Sequence, residues 1–295
     1  MIRKYTFGNP IPTDAVLETY PAVPGTLPFF TKDEECLTLR LGENTPVYGL
    51  GEQVRGINKR GWLYISNNTD EPHHLEETHS LYASHNFLII GENDSVEPFG
   101  IFIDYPGHLT FDIGYTVHDT LTISPEDWNM DVYIICPETD GEAETNSFLS
   151  IVRQFRRMIG RSYIPPKWAF GYGQSRWGYK NEADIREVAE NHRKNNIPLD
   201  AIYMDIDYME QYEDFTVSKD RFPDLPGLAA EMKEQGIHLV PIIDAGVKIA
   251  DGYSVYEEGL EKGYFCKEAD GTEFVDAVWP GYSHFPDMLN PEARR

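Results

Sequence analysis

Cysteine, basic residues and long apolar runs are all scarce in this chain, and each scarcity removes a class of protein. The three cysteines, Cys36, Cys136 and Cys266, are odd in number, far apart and without metal-ligand spacing. That excludes a disulfide scaffold and a zinc module, and it indicates reduced thiols in a cytoplasmic protein. Only 25 Lys and Arg stand against 49 Asp and Glu, a net charge of -24. So acidic a chain lacks the basic patches that nucleic acid or an anionic membrane surface requires. No apolar run approaches the ~20 residues of a membrane-spanning helix. The first ten residues hold Arg3 and Lys4 but no apolar core of a secretory signal.

What remains is a soluble globular composition, 41% hydrophobic and 25% charged over 295 residues, enough for one large domain or two ordinary ones. Aromatics make up 13%, with 18 Tyr. Packing accounts for such a content; so does sugar binding, since aromatic faces stack on the apolar faces of pyranose rings.

Residues 1–145 read as a β-sandwich. Short apolar runs at 37–41, 62–66, 87–90, 99–103, 109–113, 120–123 and 131–135 are separated by turn residues such as Asn67-Asn68-Thr69-Asp70 and Gly91-Glu92-Asn93-Asp94. One long polar loop follows residue 66. It carries His73, His74 and His79 with Glu76 and Glu77, and His85 lies just beyond. No helical two-His motif and no Cys accompany them, so a solvated loop is expected and no metal site. A loop of that length is also a place for function.

Residues 146–165 read as a connecting helix and linker. Phe148, Leu149, Val152, Phe155, Met158 and Ile159 recur at helical spacing, arginines gather in the second half, and Pro165-Pro166 ends the segment. From 166 to 295 strand and helix alternate. A strand is expected at 168–173, then a helix capped by Asn181 with Asp184 at N3, a strand at 201–207 and a helix at 226–235 closed by Gly236. A third strand is expected at 237–244, and a helix whose Ser254 and Glu257 form a capping box and which ends at Gly263. Such alternation means parallel βαβ units. Asn290-Pro291-Glu292 reads as a helix start, so the chain is expected to be the front part of a longer barrel.

The run Ala201-Ile202-Tyr203-Met204-Asp205-Ile206-Asp207 organises this half. It begins apolar on successive positions and turns acidic where the strand leaves the core, which in a parallel α/β domain is the ligand-binding end. Asp244 ends the next strand in the same way. If the strand continues through 207, Asp205 and Asp207 point to opposite faces and cannot flank one bond. Trp177 falls just past the first strand, and Trp279 sits in a Val-Trp-Pro-Gly turn; each is read as pocket rim, with core packing as the alternative.

Taken in order, Tyr48-Gly49-Leu50-Gly51-Glu52, the run from Pro165 to Tyr179, Met204-Asp205-Ile206-Asp207-Tyr208-Met209, Phe215-Thr216, Ile242-Ile243-Asp244, Val278-Trp279-Pro280-Gly281 and Phe285-Pro286-Asp287 resemble glycoside hydrolase family thirty-one, the α-glucosidases and α-xylosidases. The resemblance implies a galactose-mutarotase-like sandwich followed by the first part of a (β/α)8 barrel. It implies a retaining exo-glycosidase acting on small oligosaccharides, with two carboxyl groups about 5–5.5 Å apart and no cofactor. The family's nucleophile run, Asp-Met-Asn-Glu, is absent here; Asp287-Met288-Leu289-Asn290 is a superficial echo. No catalytic residue is therefore assigned within 295 residues, and the acid/base residue is expected beyond them as well. The resemblance makes Asp205 the acid that grips sugar hydroxyls, Ile206 and Ile242 apolar walls, Asp244 a further site acid or a loop cap, Trp279 a stacking residue, and Asp70 an acid reaching in from the sandwich loop. Asp207 is read as structural. An α-xylosidase or a non-catalytic carbohydrate-binding fragment is the alternative. The partners expected are an oligosaccharide and the remainder of the barrel, and a homo-oligomer is left open.

Overall fold

A computed structural model describes residues 1–70, 72–92, 97–138 and 146–295. The expected turn residues Asn93 and Asp94 and the expected domain edge at residue 145 lie outside them. The chain forms two compact units, Met1–Ser162 and Tyr163–Arg295.

The first unit runs β1 (Ile2–Phe7), β2 (Thr31–Lys32), β3 (Leu37–Arg40), β4 (Val47–Gly49), β5 (Trp62–Ser66), β6 (Phe87–Ile90), β7 (Phe99–Asp104), β8 (Leu109–Ile113), β9 (Thr120–Pro125), β10 (Met130–Ile135) and α1 (Ser147–Ile159). Two antiparallel five-stranded sheets result, in the orders β1-β10-β7-β6-β4 and β2-β3-β9-β8-β5. Alternation decides which side chains meet between them. Leu109, Phe111 and Ile113 point into the core, as do Leu121 and Ile123 and Val132 and Ile134. Each such side chain contributes about 1.5–3 kcal/mol by leaving water. The first sheet is covered on its other face too. There Ile89, Phe102, Tyr133 and Ile135 pack with Ile151 and Met158 of α1, and Phe87 stacks on Phe155 at 3.8 Å. Hence β7 is buried along nearly its whole length.

One expectation changes here, and one strand went unread. The helix belongs to the sandwich unit, and its inward face includes Ile151, while Leu149 and Ile159 are exposed. The edge strand β1 was not legible, because Arg3 and Lys4 fall side by side and interrupt the alternation of its apolar residues; it pairs with β10 along its full length.

The second unit opens with a 3-10 helix, Lys167–Phe170, followed by β11 (Gly173–Ser175), α2 (Glu182–Lys194), β12 (Ala201–Tyr203), α3 (Leu225–Glu234), β13 (His238–Val240), β14 (Val247–Lys248), α4 (Ser254–Lys262), β15 (Asp276–Val278) and β16 (Gly281–His284). Strands β11, β12 and β13 are parallel, with Gly173 opposite Ala201 and Ala201 opposite His238. Strands β14, β16 and β15 form a separate antiparallel sheet. Ile185 and Ala189 of α2 and Leu228 and Met232 of α3 pack on Ile202, Met204 and Ile206.

All three parallel strands are shorter than their apolar runs. The first half of the expected strand at 168–173 is the 3-10 helix, and only Gly173 belongs to β11: Pro165-Pro166 precedes the helix, Trp168 stacks on His238 at 4.1 Å, and the Asp200 side chain accepts the Tyr172 N–H at 3.1 Å. The Asn181 cap forms, its side chain accepting the N–H groups of Ala183 and Asp184. The expected capping box does not. The N-cap of α4 is Tyr253, and the Glu257 carboxylate accepts the Gly252 N–H at 2.9 Å. Gly263 closes that helix in the left-handed conformation, φ 65°. Asn290 starts a turn, with its side chain accepting the Glu292 N–H at 3.0 Å.

Candidate functional site

The site grows from the point where β12 stops. Tyr203 is the last ladder residue, and one more backbone bond, Met204 N–H to Val240 C=O at 2.9 Å, ties the strands. Asp205 then turns left-handed at φ 59° and its carboxylate accepts the N–H of Ile206 at 2.7 Å. Aspartate tolerates that conformation because its short side chain bonds locally. The turn ends the alternation of faces, so the strand-based argument about Asp205 and Asp207 does not apply. They are separated by environment instead. Asp205 is half-buried, whereas Asp207 is buried against Gly178, with Arg221 Nη1 at 3.8 Å and the Tyr212 hydroxyl at 3.4 Å. Asp207 is thus a buried, partnered acid. Gln211, Tyr212 and Phe215 also have positive φ. Strained non-glycine residues gathered in one loop are a mark of functional segments.

After β13, Pro241, Ile242 and Ile243 are exposed and Asp244 is half-buried. The Asp244 carboxylate accepts the Ala245 N–H at 3.0 Å. Its own N–H donates to the Asp214 carboxylate at 2.9 Å, and the Tyr208 hydroxyl donates to the Ile242 carbonyl at 2.7 Å. Burial raises the carboxyl pKa of Asp214 above its ordinary value; the Asp244 N–H lowers it and the nearby Asp244 charge raises it. Gly246 packs against Val278 and Ser283, which brings the Trp279 turn next to this segment. Trp279 is 79% exposed and Trp177 is 71% exposed, so neither is a core residue of its unit. Ile206, by contrast, is 7% exposed and lies in the core under α2 and α3, where it packs rather than lines an open surface. Ile242 is the exposed apolar residue of the pair.

Two family profiles match the chain: the Glycosyl hydrolase 31 N-terminal galactose mutarotase-like domain over residues 25–112 and the Glycosyl hydrolases family 31 TIM-barrel domain over residues 162–295. The chain belongs to glycosyl hydrolase family 31. It is 39% identical over 269 residues to Alpha-glucosidase 2 of Bacillus thermoamyloliquefaciens, covering 90% of this chain and 33% of that one. It is 31% identical to the Lysosomal alpha-glucosidase of Mus musculus, covering 90% and 27%. A Flavobacterium johnsoniae family 31 dextranase solved with glucose superposes with a TM-score of 0.76 at 26% identity, over 90% of this chain and 31% of that one. The chain therefore spans about a third or less of the length of these three relatives. Its family 31 architecture is the sandwich followed by the start of the barrel domain.

Asp70, the remaining family 31 candidate, is exposed in the loop between β5 and β6, in the first unit. That loop is tied at its base by the Thr69 N–H to the Leu81 carbonyl at 2.9 Å. The histidines around it disperse. His79 Nδ1 lies 2.9 Å from the Leu63 carbonyl, His74 meets the Tyr82 ring edge-on, and His85 packs under Gly51. Among the described residues no three His, Cys, Asp or Glu converge on a point. No helix of the described residues is long and apolar enough to cross a membrane.

Reading by sequence missed Gly178, Asp214 and Arg221. All three lie between regular elements, where no period marks them. The signal for Asp214 was its place directly before Phe215-Thr216.

Proposed function

We propose that the protein is a retaining, exo-acting α-glycosidase of the α-glucosidase type, releasing α-linked glucose from the non-reducing end of small oligosaccharides. The observation that carries this reading is the pair of carboxylates, Asp205 and Asp244, presented beyond the C-terminal ends of two adjacent parallel strands. A half-buried carboxylate accepts two O–H donors from neighbouring hydroxyls, and its charge roughly doubles their strength. Exposed Ile242, Trp177 and Trp279 supply apolar and aromatic surface for the ring faces. Asp70 is proposed as an acid contributed by the sandwich loop. The alpha-glucosidase names of the relatives support the same substrate class. No nucleophile or acid/base is assigned within these residues; in this reading the remainder of the barrel carries both. Three separate free cysteines support a cytoplasmic location.

The test is turnover of p-nitrophenyl α-glucoside and p-nitrophenyl α-xyloside by the protein in the form the cell produces. Preferential release from the glucoside, abolished or strongly reduced by Asp205→Asn, is expected. Preference for the xyloside makes it an α-xylosidase. Sugar binding without turnover of either makes it a binding protein and overturns the proposal.

A further inference from the structure

The segment that carries Asp244 has lost its strand. The backbone ladder between β12 and β13 ends at the bond from Met204 N–H to Val240 C=O. Beyond it, residues 242 and 244 are held toward the β12 side by side chains: the Ile242 carbonyl by the Tyr208 hydroxyl at 2.7 Å and the Asp244 N–H by the Asp214 carboxylate at 2.9 Å. Positions 240, 242 and 244 follow the two-residue repeat of a parallel ladder, so two side chains continue the pairing that the backbone abandons. Asp214 is 2% exposed, and its own carbonyl accepts the Tyr253 hydroxyl at 2.9 Å, which fixes it from the α4 side. A buried carboxylate spent on one backbone N–H is an expensive way to hold a loop unless the loop's position matters.

We propose that Asp214 is a positioning residue for Asp244, holding the 241–244 segment in register with β12 so that the Asp244 carboxylate faces the sugar. This rests on the reading of Asp244 as a sugar-binding acid. A backbone N–H needs only an acceptor, so the amide oxygen of Asn serves where a methyl cannot.

The experiment compares Asp214→Ala, Asp214→Asn, Asp244→Ala and the double variant D214A/D244A in the protein as naturally produced. Two measurements are made: steady-state kinetics on p-nitrophenyl α-glucoside, and hydrogen exchange of the 241–245 amides. Asp214→Ala is expected to raise KM, lower kcat/KM about ten- to hundredfold and speed exchange of the segment, while Asp214→Asn stays within about threefold of the parent. In the Asp244→Ala background Asp214→Ala should cost nothing further, because it acts through the residue already removed. A merely structural role would lower the melting temperature with KM and segment exchange unchanged, and that result overturns the proposal. An additive loss in the double variant overturns it as well. If the parent protein turns over no α-glucoside, the functional reading fails on its own, and the exchange data still decide whether Asp214 holds the segment.

Discussion

Gly178 lies so close to the Asp207 carboxylate that a Cβ at this position would overlap Oδ2. The glycine is required by that approach alone, since its φ is not in the left-handed region. Gly178→Ala is therefore expected to push Asp207 off Arg221 and Tyr212 and to destabilise the protein by about 1–3 kcal/mol, the usual cost of overpacking. Thermal unfolding measures it. An unchanged melting temperature would mean that the carboxylate has room to move.

Arg221 serves Asp207 in a second way. Its Nη1 is 3.8 Å from the carboxylate, and its Nη2 donates to the Met209 carbonyl at 2.6 Å. Arg221→Leu leaves Asp207 buried without its cation. Because the arginine is partly exposed, the expected loss is about 1–3 kcal/mol and not the full cost of an unpaired buried charge. Asp207→Asn should recover part of that loss in the Arg221→Leu background, and chemical denaturation of the four variants tests this.

Asp205 combines a chemical and a conformational demand. Asp205→Asn keeps the left-handed turn and should lower kcat/KM on an α-glucoside about ten- to hundredfold with the melting temperature unchanged. Asp205→Val should lose activity and also about 1–2 kcal/mol of stability, since a β-branched residue resists φ 59°. Equal melting temperatures for the two variants would contradict the conformational half of this prediction.

Trp279 is exposed, so Trp279→Ala should leave stability within about 0.5 kcal/mol while weakening substrate binding. Calorimetric unfolding and KM separate the two effects. A large drop in stability would return Trp279 to packing.

The pH dependence of stability should carry the signature of Asp214. Its folded-state pKa lies above the ordinary 3.8, so the folded protein keeps this proton to higher pH than the unfolded chain does. The favourable contribution is complete below the unfolded value and is lost as pH rises through the folded value. Asp214→Asn removes that ionisation. It should match the parent at the acid end and be the more stable protein near neutrality, as read from melting temperature against pH.

Asn181 and Ser254 test the helix starts. Asn181→Ala should cost about 1 kcal/mol, while Ser254→Ala should be nearly silent because its side chain caps nothing.

Local patterns were legible because near neighbours encode them. The strand at 109–113 follows from alternation, those at 62–66 and 87–90 from short apolar runs bounded by turn residues, and the Asn181 cap and the glycines after α3 and α4 from capping chemistry and the freedom to take positive φ. The acids at the ends of the 201 and 237 runs, on which the proposed site rests, were legible for the same reason. Tertiary structure decided the rest. An apolar run states that residues are buried, but a strand ends where its neighbour stops offering backbone groups, and for β12 and β13 that happens several residues before the run does. The same partners sorted the acids. Asp205 stays half-buried on a left-handed turn, Asp207 sinks against Gly178 and Arg221, and Asp214, in no periodic segment at all, takes the N–H of Asp244. Which carboxylate meets a ligand and which meets the fold depends on groups distant in sequence, and no local pattern carries that information.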